Sequence, residues 1–194
     1  MAVLNKSWGS ITETPTGSKL LDKPMMIYVT DGPVAGFDKV EKVVLINDNV
    51  CIGMWAFECV KMTSADASKD SRLKATGEDV PRFVFVSRDM KSVDTVGKSK
   101  MSVKHVFKAM KKHAGLAYTT AFADNVKQML DVLGEFDRIN NAKTVLADAE
   151  AQGEASDADK RRFETEREAL AERMKAAEKR RDELTTFELR ALET

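Results

Sequence analysis

An excess of charge of either sign is missing from this chain. Its 194 residues carry 31 Lys and Arg against 31 Asp and Glu. Proteins that bind nucleic acid generally neutralise phosphates with a basic surplus, so no nucleic-acid partner is expected. Cysteine is nearly absent: Cys51 and Cys59 are the whole supply, and seven residues separate them. That spacing is neither a metal knuckle nor a redox pair. The two histidines, His105 and His113, lie eight apart in a Lys-rich segment, without the paired ligands a zinc site needs. No metal and no cofactor is therefore expected. Long apolar runs are also lacking, which argues against membrane insertion. The first residues, Met1 to Trp8, hold no apolar signal core. The chain reads as cytoplasmic, although a periplasmic or secreted protein whose signal had been removed would look the same. Proline is used four times and never after Pro81, so nothing of that kind interrupts the second half.

The residues that are present divide the chain into three parts. Residues 1–22 are mixed and polar and read as an N-terminal arm anchored by Trp8, with Ser10, Ile11 and Thr12 as a short edge strand. Residues 23–115 read as an α/β domain. Met25 to Thr30 is a continuous apolar run of strand length, suited to burial on both faces. A loop with Gly32, Pro33 and Gly36 follows. Phe37, Val40, Val43 and Val44 then recur at helical spacing. Asn47 caps a short helix containing Cys51 and Trp55, and Phe57 to Met62 returns to strand character. Ser64 to Ala75 reads as one surface helix anchored by Leu73 and ended by Gly77. Phe83 to Val86 centres a strong strand signal, and Ser92 to Val96 its antiparallel neighbour. Ser102 caps a helix with Val103, Val106, Phe107 and Met110 on its apolar face, stopped by Gly115.

From Leu116 the composition changes. Phe122, Val126, Met129, Leu130, Leu133 and Phe136 form an apolar stripe that Ile139, Val145 and Leu146 continue. Residues 151–155 break it, and Ser156-Asp157-Ala158-Asp159 caps a new helix running to about Leu192. Its seam is thin: Phe163, Leu170, Met174, Ala177, Leu184 and Phe187. Two helices of this length joined by a short turn predict an antiparallel helical hairpin, a coiled coil, over residues 116–194.

The order of elements over 23–115 resembles the thioredoxin superfamily. Lys23-Pro24 ahead of an apolar strand is similar to the approach to that family's central strand. Asp79-Val80-Pro81-Arg82-Phe83-Val84-Phe85 resembles its cis-Pro segment, and the strand ending at Gly97 and the helix 103–114 resemble its last hairpin strand and last helix. The resemblance implies a thioredoxin-like mixed sheet flanked by helices. It also implies that the family's Cys-x-x-Cys falls on Val34-Ala35-Gly36-Phe37, where both sulfur positions are apolar. Redox chemistry of that kind needs a thiolate at a helix N-terminus and a second thiol to resolve the mixed disulfide. Val34 and Phe37 supply neither.

No catalytic residue set is visible in the sequence. The expected function is a non-catalytic binding or assembly module with a protein partner or a second copy of itself. The candidate contact residues are Val34, Phe37, Val80 and Pro81 at the loop edge and Leu130, Leu133 and Phe136 on the helical stripe. One alternative is a thiol oxidoreductase or peroxidase-like enzyme using Cys51 or Cys59. Another is a peptide-binding chaperone or adaptor that takes an extended segment along the Val80–Pro81 edge.

Overall fold

The computed structural model of the chain describes residues 21–32, 40–77, 79–151 and 156–191. The expected arm with Trp8, the loop positions Val34 and Phe37, and the break at 152–155 lie outside the described residues. The chain divides into two compact units. Among the described residues, one holds those within 127–186, and the other holds those from 21 to 126 together with 187–191.

The sheet unit is α/β, with a four-stranded mixed sheet. Strands β1 (Met25–Val29), β2 (Glu58–Met62), β3 (Arg82–Val86) and β4 (Val93–Val96) lie in the order β2-β1-β3-β4. β1 runs parallel to β2, with Ile27 opposite Val60, and antiparallel to β3, with Ile27 opposite Val84. β4 is antiparallel to β3. The unbroken apolar sequences of β1 and β3 follow from this placement, because both are inner strands and every residue of each is buried. β2 and β4 are edges and include exposed residues such as Glu58, Lys61 and Thr95. That is what a strand with one open side requires.

Alternation sorts the inner-strand side chains onto two faces. Met25, Ile27, Val29, Val84 and Val86 join Val60, Ala67 and Leu73 in one core cluster. This face is covered by α2 (Ser64–Ala67) and α3 (Ser71–Lys74). Residues 64–75 thus form two helical turns, where the sequence suggested one helix. The first ends at Ala67, and Asp70 caps the second, its carboxylate accepting from the Arg72 amide at 2.9 Å. The opposite face is aromatic. Phe57 meets Phe85 and Phe122 edge-on at 6.1 and 6.2 Å, and Tyr28 stacks on Phe83 at 4.8 Å. It is closed by α1 (Asp48–Gly53) and α4 (Val103–Ala117), whose Val106, Met110 and His113 are buried. α1 packs closely at Gly53, where a Cβ would lie 2.7 Å from Met110 Cε and 2.9 Å from Phe122 Cζ and would require those side-chain ends to shift.

Three local expectations are corrected. Val40–Val44 is a short π-helix, with the Leu45 amide donating to the Val40 carbonyl at 3.0 Å. The wider turn buries Val40 and Val44 and leaves Val43 51% exposed, off the core face to which α-spacing assigned it. Gly115 does not end α4, which continues to Ala117. Gly115 is exposed and in helical conformation, and the Tyr118 amide still reaches the Ala114 carbonyl. The last helix stops at Thr185 rather than near Leu192. Phe187 instead packs on the Tyr118 ring at 5.0 Å, and the Thr119 and Arg190 amides donate to the Glu188 and Ala117 carbonyls. Consecutive Thr185 and Thr186 favour that stop, because both hydroxyls donate to the Asp182 carbonyl at the helix end.

The second unit is built from α5 (Phe122–Ala151), beyond its first turn, and α6 (Asp157–Thr185), which Ser156 caps as expected. At 30 residues α5 spans about 45 Å. Ile139, Leu146, Phe163, Leu170 and Ala177 form its core, with Phe136, Ala142 and Met174 packed against them. Phe163, Leu170 and Ala177 recur every seventh residue, the repeat that keeps one seam facing a neighbouring helix. No helix among the described residues is long and apolar enough to cross a membrane.

Candidate functional site

The end of β1 is where a functional loop was expected, and its described part is held by hydrogen bonds. The Thr30 amide extends the ladder to the Met62 carbonyl at 3.0 Å. Asp31 then accepts from the Ser64 hydroxyl at 2.6 Å and the Ser64 amide at 2.7 Å. The Ser64 hydroxyl and amide, with a contribution from the Arg82 charge, hold the Asp31 carboxyl below the usual carboxylate range. A carboxylate so occupied pins β1 to the start of α2 and has little basicity left for proton abstraction.

Beside it, the Val80–Pro81 peptide bond is cis. Pro81 is buried and Val80 is half-buried. Val80 packs against the Met25–Ile27–Val84 cluster, so part of the apolar edge offered by the sequence is used within the domain. Arg82 follows, only 2% exposed. Its Nη1 donates to the Asp79 carbonyl at 3.0 Å and its Nε to Thr76 Oγ1 at 3.3 Å. These bonds make Arg82 a tie between the α3–β3 connection and the sheet. The sequence held one signal for this that was not used: a guanidinium at the head of a run buried on both faces must carry its partners inward.

The thiols sit in structural surroundings. Cys51 is half-buried on α1, and its Sγ donates to the Leu45 carbonyl at 2.8 Å. Burial, and then the charge of Asp48, push its thiol above the ordinary value. Cys59 is buried on β2 and directs its Sγ toward the Met54 and Phe57 carbonyls at 3.5 and 3.8 Å. A nucleophilic cysteine needs the reverse, a depressed pKa beside positive charge.

One charged cluster was not legible in advance. Asp94 on edge strand β4 accepts from Lys112 Nζ at 2.6 Å and His113 Nε2 at 2.8 Å. The Lys112 hydrogen bond is the main influence that lowers the Asp94 carboxyl. His113 is fully buried against Phe85, with ring centroids 5.9 Å apart. Burial lowers its pKa against the opposing pull of Asp94, so the ring is neutral at pH 7 and Nε2–H is the donor. A fully buried imidazole already bound to a carboxylate fixes α4 to the sheet and is out of reach of a substrate in solvent. Among the described residues no group of three or more metal-ligating side chains comes together.

The helical candidates share one helix, α5. Leu130, Leu133 and Phe136 are all half-buried. Val145, which continues their stripe, is 68% exposed. It lines a groove of about 500 Å³ whose other apolar walls are Leu146, Phe163 and Leu170 together with Ala142, Ala149 and Ala169. Comparison with family models, with curated proteins and with solved structures gave no match to this chain.

Proposed function

We propose that this chain is a non-catalytic, thioredoxin-like binding and assembly module whose C-terminal helices form an antiparallel hairpin that engages a protein partner or a second copy. The strand order β2-β1-β3-β4, with one parallel and two antiparallel pairings and Pro81 leading into β3, supports the thioredoxin-like reading. The hairpin reading is supported by contacts whose positions rise on one helix as they fall on the other. Gln128 accepts from Arg180, Glu135 pairs with Arg173, and Glu150 pairs with Arg167.

The observation that carries the function is the imbalance within the helical unit. Its seam is filled, and an apolar surface is left over at Val145. Paired helices with surplus apolar surface associate or dock. The absence of thiols from the loop sequence Val34-Ala35-Gly36-Phe37, with Cys51 raised and Cys59 buried, speaks against the enzyme alternative.

Sedimentation of the full chain over a range of concentrations, with capture of proteins by the immobilised chain, tests the reading. Self-association or a retained partner is expected, and a strict monomer that retains nothing would overturn it. Thiol titration separates it from the oxidoreductase alternative. Both cysteines should react slowly at pH 7, and a fast, low-pKa thiol at either position would favour the enzyme.

A further inference from the structure

The groove around Val145 has a charge pattern that selects its occupant. Besides the alanines it is bordered by Arg162 and Glu166 on α6, four residues apart. Neither forms a salt bridge among the described residues, although Arg162 lies over the Phe163 ring at 5.2 Å. Arg173, the other charge on the groove, is already bound to Glu135 through Nε and Nη2. The charge of Arg162 also acts on Asp159. The groove still presents one positive and one negative group outside any described salt bridge on the same face of one helix, beside an apolar wall of Val145, Leu146, Phe163, Leu170 and three alanines.

Resting on the assembly reading above, we infer that this groove is a two-fold interface between copies of this chain. A two-fold axis crossing α6 between Arg162 and Glu166 brings Arg162 of each copy to Glu166 of the other. Each charge then gains a partner of opposite sign across the axis, and each Val145 is covered by the partner's apolar wall. Such self-complementarity is the requirement of an isologous contact. A partner of single sign would pair one of the two charges and repel the other. The chain's balance of 31 basic and 31 acidic residues adds no net repulsion between copies.

The test uses exposed positions of the full chain, where folding is easily preserved and is checked by circular dichroism. Sedimentation should show concentration-dependent dimers for the unaltered chain. Val145→Glu should weaken dimerisation about tenfold or more, since it sets a carboxylate in the apolar contact. Arg162→Glu and Glu166→Arg should each weaken it by about tenfold, because the two-fold repeats every clash. The decisive arm mixes those two variants. Their surfaces are opposite in sign, so the mixture should form a heterodimer with affinity near that of the unaltered chain.

Dimers indifferent to all three changes, or a mixture that stays apart, would overturn this interface and leave the assembly reading standing on another surface. An unaltered chain that stays monomeric but retains a different protein would overturn it in favour of that partner. A monomer that retains nothing would overturn both.

Discussion

The two units are stabilised by different means. In the sheet unit, inner strands β1 and β3 contribute ten residues that are all buried, and several of its ionisable groups are pinned by specific hydrogen bonds, such as Asp31 to Ser64 and Asp94 to His113. The helical unit has a narrow seam on α6, where Phe163, Leu170 and Ala177 remain 6–8% exposed, Met174 packs beside them, and most other positions are charged or alanine. Burial of apolar area drives the first unit. The second combines a narrower apolar strip with exposed ion pairs, each of which contributes little. A fold core and an association surface make opposite demands. Exposed apolar side chains remain on both units, Ile46 at 66% on the sheet unit and Val145 at 68% on the helical unit, so exposure alone does not tell one from the other.

The sharpest way to separate the units is to damage each core in turn. Phe85 is fully buried between Phe57 and His113, and Phe85→Ala should cost about 3–5 kcal/mol. Leu170 keeps 7% exposure on the seam, and Leu170→Ala should cost roughly 2–3 kcal/mol, at the low end for such truncations because water reaches the site. Urea unfolding followed by aromatic fluorescence and by helical ellipticity should shift mainly in the first signal for Phe85→Ala and mainly in the second for Leu170→Ala. Equal shifts of one shared transition in both variants would mean that the units unfold as one.

The same contrast governs what could be read in advance. Where burial is complete, residue pattern and structure coincide. The runs at Met25–Val29 and Phe83–Val86 announce inner strands, and Ser102 and Ser156 cap the helices that the spacing assigns to them. Local rules failed where a distant partner decided the outcome. Phe187 continues the seam by spacing, yet Tyr118 takes its ring. Gly115 has the character of a helix stop, but α4 is held beyond it by Ala117 and Tyr118 at 2% and 1% exposure. The candidate site was the least legible part. Asp94 and His113 are separated by nineteen positions in sequence, and Asp31 meets Ser64 across thirty-three. Only the strand order brings these pairs together. The stripe containing Leu130, Leu133 and Phe136 was legible as apolar, but no periodicity says which of its members remains uncovered.

A smaller effect should distinguish the units by pH. Burial holds His113 below the ordinary histidine value of 6.5. Below pH 6.5 the unfolded chain therefore takes up a proton that the folded sheet unit resists. Stability should fall as pH drops from 6.5 toward the lowered folded value, then level off. No histidine lies in residues 127–186. Glu135 there is lowered from 4.5, first by its hydrogen bond to Arg173, so its contribution persists above 4.5 and is lost only as pH falls further. Between pH 6.5 and 4.5 the fluorescence-detected midpoint should decline while the ellipticity-detected midpoint stays nearly constant. His113→Gln should remove the decline above pH 5, and a wild-type sheet transition that is flat across this window would refute the buried neutral imidazole. On the alkaline side, burial lifts Tyr28 and Tyr118 to about 12. Sheet stability should therefore fall again as pH rises above 10, where the unfolded phenols ionise first.

The smallest expected effect compares the two serine caps. Ser102 accepts from the His105 amide at the start of α4, and Ser156 from the Asp159 amide at the start of α6. Replacing either by Ala should cost about 1 kcal/mol, but the loss should spread differently. α4 is fixed within its next turns by buried Val106 and Met110, so Ser102→Ala should open only the first amides. In α6 the first buried residue is Phe163, and exposed side chains surround it. Without its cap the helix should therefore fray as far as that anchor. Hydrogen exchange reads this directly: amides before Phe163 should lose protection in Ser156→Ala, while those beyond Val106 keep theirs in Ser102→Ala. Equal fraying in both helices would show that the seam holds α6 as firmly as the sheet holds α4, and the contrast between the two units would then not extend to their helix ends.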